Sequence, residues 1–164
     1  MPLPPPPPRG ASAPLGVFDS GVGGLTVLKE LRRALPHESF VYLGDTARVP
    51  YGPKPPEMVR GFATEIAHAL LGRGVKGIVI ACNTASAAAL PELADRLPVP
   101  TWGVVEPGVA AALGRAPGGR IGVLGTQGTV ASRVYQDRLE RAGAITWARA
   151  CPLFVPIVEE GVSD

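Results

Sequence analysis

Short uninterrupted apolar runs alternate along this chain with segments whose apolar residues recur at helical spacing. The clearest run is KGIVIA at residues 76–81. It reserves no face for water, so as a strand it belongs in a sheet covered on both sides. Further runs lie at 15–18, 40–43, 99–104, 121–124 and 144–148. Between them, Leu25, Leu28, Leu31 and Leu35 repeat at helical spacing before Pro36. Pro55 and Pro56 open a helix whose Met58, Val59, Phe62, Ile66, Ala69 and Leu70 share one face. Prolines suit a first turn, where N–H groups lack intrahelical partners anyway. An alanine-rich helix follows at about 84–97, a weaker one at 107–115, and another at 130–142 that ends at Gly143.

Repeated β–α units imply parallel strands joined by right-handed crossovers. The expectation is a doubly wound, flavodoxin-like α/β domain with a parallel sheet of about six strands. Ligands of such folds bind beyond the carboxyl ends of the strands. The 164 residues suffice for one domain with a real core. Hydrophobic residues at 46% and charged residues at 18% place the chain among globular proteins. A net charge of +2 argues for neither nucleic acid nor an anionic membrane, and no apolar run reaches membrane-spanning length.

The start, MPLPPPPPRGASAP, lacks the apolar core of a secretory signal. Its prolines favour polyproline II and cannot pack a core, so residues 1–14 are expected to be a disordered tail. The cysteines, Cys82 and Cys151, stand far apart and form no CxxC. This usage fits a reducing cytoplasm better than a disulfide framework. With only His37 and His68 beside them, no metal site is expected.

The chemistry sits at strand ends. The first strand leads into FDSGVGGL, with Asp19 and Ser20 where the chain leaves the sheet. Gly21, Gly23 and Gly24 permit a sharp turn, and the next helix offers free N–H groups to an anion. The motif is neither GxGxxG nor a P-loop, which disfavours nucleotides. The second strand ends in a long loop, GDTARVPYGPK, carrying Pro50, Tyr51 and Gly52. By itself it reads more readily as a proline-stiffened surface loop than as a functional one. The third ends in ACNTAS, placing Cys82 at a strand tip and Asn83 or Thr84 at a helix cap. That helix end is expected to favour the Cys82 thiolate and to make Cys82 more reactive than Cys151. A buried structural cysteine is the competing reading. The fifth ends in GTQGTV, where Thr126 and Thr129 could donate to a carboxylate, or Thr129 could simply cap the next helix. Together these groups suggest acid–base or thiol chemistry on a small polar anion.

DSGVGG, GDTARVPYG and ACNTAS, in this order, resemble the glutamate racemases of the aspartate/glutamate racemase superfamily. CPLFVPIVEEG at 151–161 resembles the start of that family's second domain, so 15–150 and 151–164 are expected to be one α/β domain and the opening of another. The resemblance implies a cofactor-independent isomerase in which Cys82 is one of two thiols flanking the α-carbon of glutamate. Asp19 would assist the thiol beside the substrate ammonium. Ser20, Pro50, Tyr51, Gly52, Asn83 and Thr84 would contact substrate, with Thr126 and Thr129 as weaker correspondences. It also implies a supply of D-glutamate to peptidoglycan. The family's second cysteine lies in a Gly-Cys-Thr-His motif that this sequence lacks. An aspartate racemase-like enzyme and a non-catalytic amino-acid-binding or interaction module are the alternatives. The apolar stretch after Cys151 predicts either a homodimer, or an aggregation-prone monomer, or a helix folded back on the domain.

Overall fold

Strand β1 (Leu15–Asp19) is the spine of the fold, and four of its five residues are buried. In the computed structural model, which describes residues 10–160, β2 (Phe40–Gly44) pairs with one edge of β1. On the other edge lies β3 (Gly77–Ile80), followed by β4 (Thr101–Gly103). The order is β2-β1-β3-β4 and every pairing is parallel. Helix α1 (Leu25–Ala34) links β1 to β2, α2 (Pro56–Gly72) links β2 to β3, and α3 (Asn83–Arg96) links β3 to β4.

The main core lies where α2 and α3 cover the sheet. Val59, Ala63, Ile66 and Leu70 of α2 meet Phe18, Ile78 and Ile80 of the strands and Ala85, Ala89 and Leu93 of α3. This explains why Ile78 and Ile80 of β3 are fully buried and why α2 is apolar on one stripe only. Helix α1 differs: it carries the leucine spacing yet buries none of its residues, and Leu25 stays exposed.

All six expected strands form, but not as one ladder. β5 (Arg120–Gly125) and β6 (Ile145–Ala150) make a separate parallel pair. The three-residue β4 passes almost directly into α4 (Val105–Arg115). The chain beyond it then builds its own core from Val105, Val109, Val123, Leu139 and Ala144.

The helix expected at 130–142 is likewise divided, into α5 (Gln127–Ala131) and α6 (Val134–Arg141). Arg133 breaks it with a left-handed φ of 57°, and its guanidinium pairs with Asp137 at 3.0 Å and Glu140 at 2.9 Å. Those exposed pairs offset only part of the strain of a non-glycine residue in that region.

Residues 1–9 and 161–164, including most of the expected disordered tail, lie outside the described residues. Residues 10–14 form a turn: Ala13 N–H donates to the Gly10 carbonyl, and the Lys76 backbone N–H and ammonium reach Pro14 and Ala11. The tail reading therefore does not extend to Pro14. After β6, α7 (Phe154–Glu160) folds back as a helix while leaving Leu153, Phe154, Ile157 and Val158 exposed. Among the described residues, no helix is long and apolar enough to cross a membrane.

Candidate active site

The carboxyl ends of β1, β2, β3 and β5 bring the sequence-selected residues together. At the tip of β3, Cys82 adopts an extended conformation and caps α3, its sulfur accepting from the Ala85 N–H at 3.4 Å. Across from it, the Cys82 thiol lies 3.7 Å from Ser20 Oγ, which follows β1. Asp19 is buried and held rigidly: Oδ2 accepts from the N–H groups of Gly21 at 3.1 Å and Gly24 at 3.0 Å. Gly24 has to be glycine, since a Cβ there would stand 2.5 Å from the Asp19 Cβ.

The local field at Cys82 overturns one expectation. Helix α3 and Ser20 do favour the thiolate through hydrogen bonds, but burial and the neighbouring Asp19 charge outweigh them. The thiol pKa is pushed up, so Cys82 rests protonated. Desolvation acts on the whole charge, whereas one N–H at a helix end supplies only a fraction of a charge in return.

The turn after β1 is also occupied differently from the sequence reading. Its N–H groups were expected to be free for an anion. Gly21 and Gly24 serve Asp19, and the Val22 N–H is taken by the Glu159 carboxylate of α7 at 3.0 and 3.2 Å.

The loop after β2 enters the site through a cis Val49–Pro50 bond. Tyr51 is buried with its hydroxyl donated to Asp45, which also pairs with Arg48 at 2.6 Å. Burial and Asp45 raise the Tyr51 pKa, so this phenol stays protonated and serves to fix the loop. The Gly52 carbonyl accepts from the Gly128 N–H at 2.8 Å, tying the loop to α5.

Beyond β5, Thr126 and Thr129 close a triangle of hydroxyls with Thr84. The separations are 2.8 Å for Thr84–Thr126, 3.3 Å for Thr84–Thr129 and 3.0 Å for Thr126–Thr129. The cap of α5 is Thr126, accepting from the Thr129 N–H at 3.2 Å, rather than Thr129. Asn83 is exposed at the same rim, its amide oxygen accepting from the Tyr135 hydroxyl at 2.7 Å. Cys151 stands apart at the end of β6, half-buried, its N–H donated to the Gly125 carbonyl at 2.8 Å.

Sequence reasoning passed over Asp45, Arg48, Tyr135 and Glu159. Asp45 and Arg48 sit within the quoted GDTAR segment and Glu159 within CPLFVPIVEEG, so their signal was available. Tyr135 carried none, because a tyrosine in an ordinary amphipathic helix marks nothing.

The arrangement offers a protonated thiol beside a hydroxyl and a carboxylate, with the hydroxyls of Thr84, Thr126 and Thr129 and the amide of Asn83 at the same strand ends. It suits proton transfer at a small polar molecule. The Asp/Glu/Hydantoin racemase family model matches residues 16–163. A glutamate racemase of Thermus thermophilus is 63% identical over 152 residues, covering 93% of this chain and 56% of the relative. One from Aquifex aeolicus is 55% identical, covering 92% of this chain and 59% of the relative. A solved structure of the Thermus thermophilus glutamate racemase, in complex with β-chloro-D-alanine, superposes with a TM-score of 0.82 at 62% identity. That superposition covers 92% of this chain and 56% of the solved one. This chain thus spans little more than half the length of these relatives. Each strand-tip group described above falls inside the matched span, and the chain belongs to the Asp/Glu/Hydantoin racemase family.

Proposed function

We propose that this chain supplies one face of a glutamate racemase active site, with Cys82 as the thiol on that face. The observation that carries the reading is the meeting of Cys82, Ser20 and Asp19 at the tips of adjacent parallel strands. The names and identities of the relatives point to glutamate rather than aspartate as substrate.

Inversion at an α-carbon needs an acid and a base on opposite faces, each held in place. A protonated Cys82 is ready to return a proton to the carbanion. Acting as base, it must first release its own proton to solvent as substrate binds. Asp19 links that step to binding: its charge raises the thiol pKa, and a substrate ammonium beside it offsets that charge and eases ionisation. Asn83, Thr84, Thr126 and Thr129 provide donors for the substrate carboxylates, while Pro50, Tyr51 and Gly52 form a fixed wall.

The second thiol comes, in this reading, from a second half begun by residues 151–164 and continued in the relatives. Three features support such a half. The outer edge of β5 has no strand partner among the described residues. Trp147 is 59% exposed beside exposed Ile145 and Leu124 on one face of the β5–β6 pair. No residue of α1 is fully buried, and Leu25 and Leu35 of its leucine stripe are exposed. The complete enzyme would act in the cytoplasm and provide D-glutamate for cell-wall peptidoglycan.

The test is a fusion of this chain to the remaining portion of the Thermus thermophilus relative, assayed by chiral chromatography. The unfused chain is expected to give no measurable racemisation of L-glutamate. The fusion is expected to racemise it, and Cys82→Ser to slow the fusion on the order of a thousandfold. A folded fusion without activity, or one indifferent to Cys82→Ser, would overturn the proposal.

A further inference from the structure

We infer that Tyr135 is a positioning residue: its phenol sets the orientation of the Asn83 amide and locks the second core onto the site. The substrate half of this inference rests on the glutamate reading above; the lock itself does not.

Tyr135 lies in the first turn of α6, packed against the core of the β5–β6 layer. Its partner, Asn83, opens α3 directly after Cys82 and belongs to the four-stranded layer. Their 2.7 Å hydrogen bond therefore joins the two layers at the strand tips. The division of α5 from α6 at Arg133 is what starts a fresh helix here, with Tyr135 in its first turn. The ring lies close over Gly108, where an added Cβ would stand 3.0 Å from the hydroxyl and 3.1 Å from the ring edge.

The bond also decides which end of the amide faces outward. An asparagine amide presents an acceptor on one side and two donors on the other. The phenol proton satisfies the oxygen of Asn83 and leaves the NH2 group free. Among the described residues the Asn83 side chain makes no other hydrogen bond. With the amide reversed, the NH2 group would donate to the phenol oxygen, and the phenol proton would pass to the longer contact with the Val104 carbonyl, 3.5 Å away, in place of the 2.7 Å bond. The exposed rim therefore presents donors, which select a carboxylate over an ammonium at this point. Burial raises the Tyr135 pKa, so the donor proton persists into alkaline solution.

The side-chain amide protons of Asn83, assigned by their loss in Asn83→Ala, give a direct readout in 15N-labelled protein. Tyr135→Phe retains the ring and removes the donor. It is expected to fold with a nearly unchanged thermal midpoint, to shift the Asn83 pair towards free-amide values, and to weaken glutamate binding about tenfold. Combining it with Asn83→Ala is expected to weaken binding no further than Asn83→Ala alone. An Asn83 pair unmoved in Tyr135→Phe overturns the lock. A moved pair with unchanged glutamate affinity, or additive effects in the double variant, overturns the positioning role. Glutamate affinities are read in the fusion described above; absence of binding there refutes the substrate half together with the reading beneath it, and the amide shift still decides the lock.

Discussion

Cys82 stands between opposed influences, and their balance is measurable. Burial and Asp19 hold it as a thiol; the Ala85 N–H and Ser20 pull towards the thiolate and lose. At neutral pH, iodoacetamide followed by peptide mapping is expected to label half-buried Cys151 before Cys82. Labelling of Cys82 should rise only above the ordinary thiol range, and rapid labelling at pH 7 would show that the helix end dominates. The same shift has a stability consequence of fixed sign. Folding raises this pKa, so the stabilisation is complete below the unfolded thiol pKa and is lost as pH rises through the elevated value. Cys82→Ala is expected to flatten the alkaline fall in Tm, and an unchanged slope would contradict the shift.

At the scale of elements, the site is shaped by how closely two loops approach. Gly52, after β2, faces Thr126, after β5, and a Cβ at Gly52 would lie 2.6 Å from the Thr126 Cβ. Gly52→Ala is expected to destabilise the protein by about 1–3 kcal/mol, the usual cost of overpacking a closed contact. Leu70→Ala, emptying a fully buried position between α2 and the sheet, should cost about 2–5 kcal/mol. Urea denaturation checks both. Equal, negligible losses would mean that neither the loop contact nor the core is packed as described.

Across the whole molecule, apolar surface stands open in three places among the described residues: at Leu25 and Leu35 at the two ends of α1, on the β5–β6 pair at Ile145 and Trp147, and at Leu153, Phe154 and Val158 near the end of the described chain. Contiguous exposed apolar surface of this kind drives association. Light scattering across a concentration series is expected to show a dimer or larger species for the chain alone, and a single monomeric mass at high concentration would refute this. The fusion described above should reduce the association, because the added half would cover the same surfaces. Association unchanged in an active fusion would assign these faces to another partner.

Local patterns were enough to read the strands, their parallel arrangement and the strand-tip location of Asp19, Ser20, Cys82, Asn83 and Thr84. The reason is physical: apolar runs and helical stripes report burial directly, and a crossover fold sends every strand's carboxyl end to one side. The motifs likewise carried the family. Three things needed the tertiary structure. The break between β4 and β5 coincides with a second core built from residues far apart in sequence, which no local window registers. The protonation of Cys82 depends on burial and on Asp19, brought alongside by the pairing of β1 with β3 rather than by sequence proximity. Tyr135 and Glu159 reach the site across 52 and 137 positions of chain, to Asn83 and Val22, and only the packed fold makes those distances short.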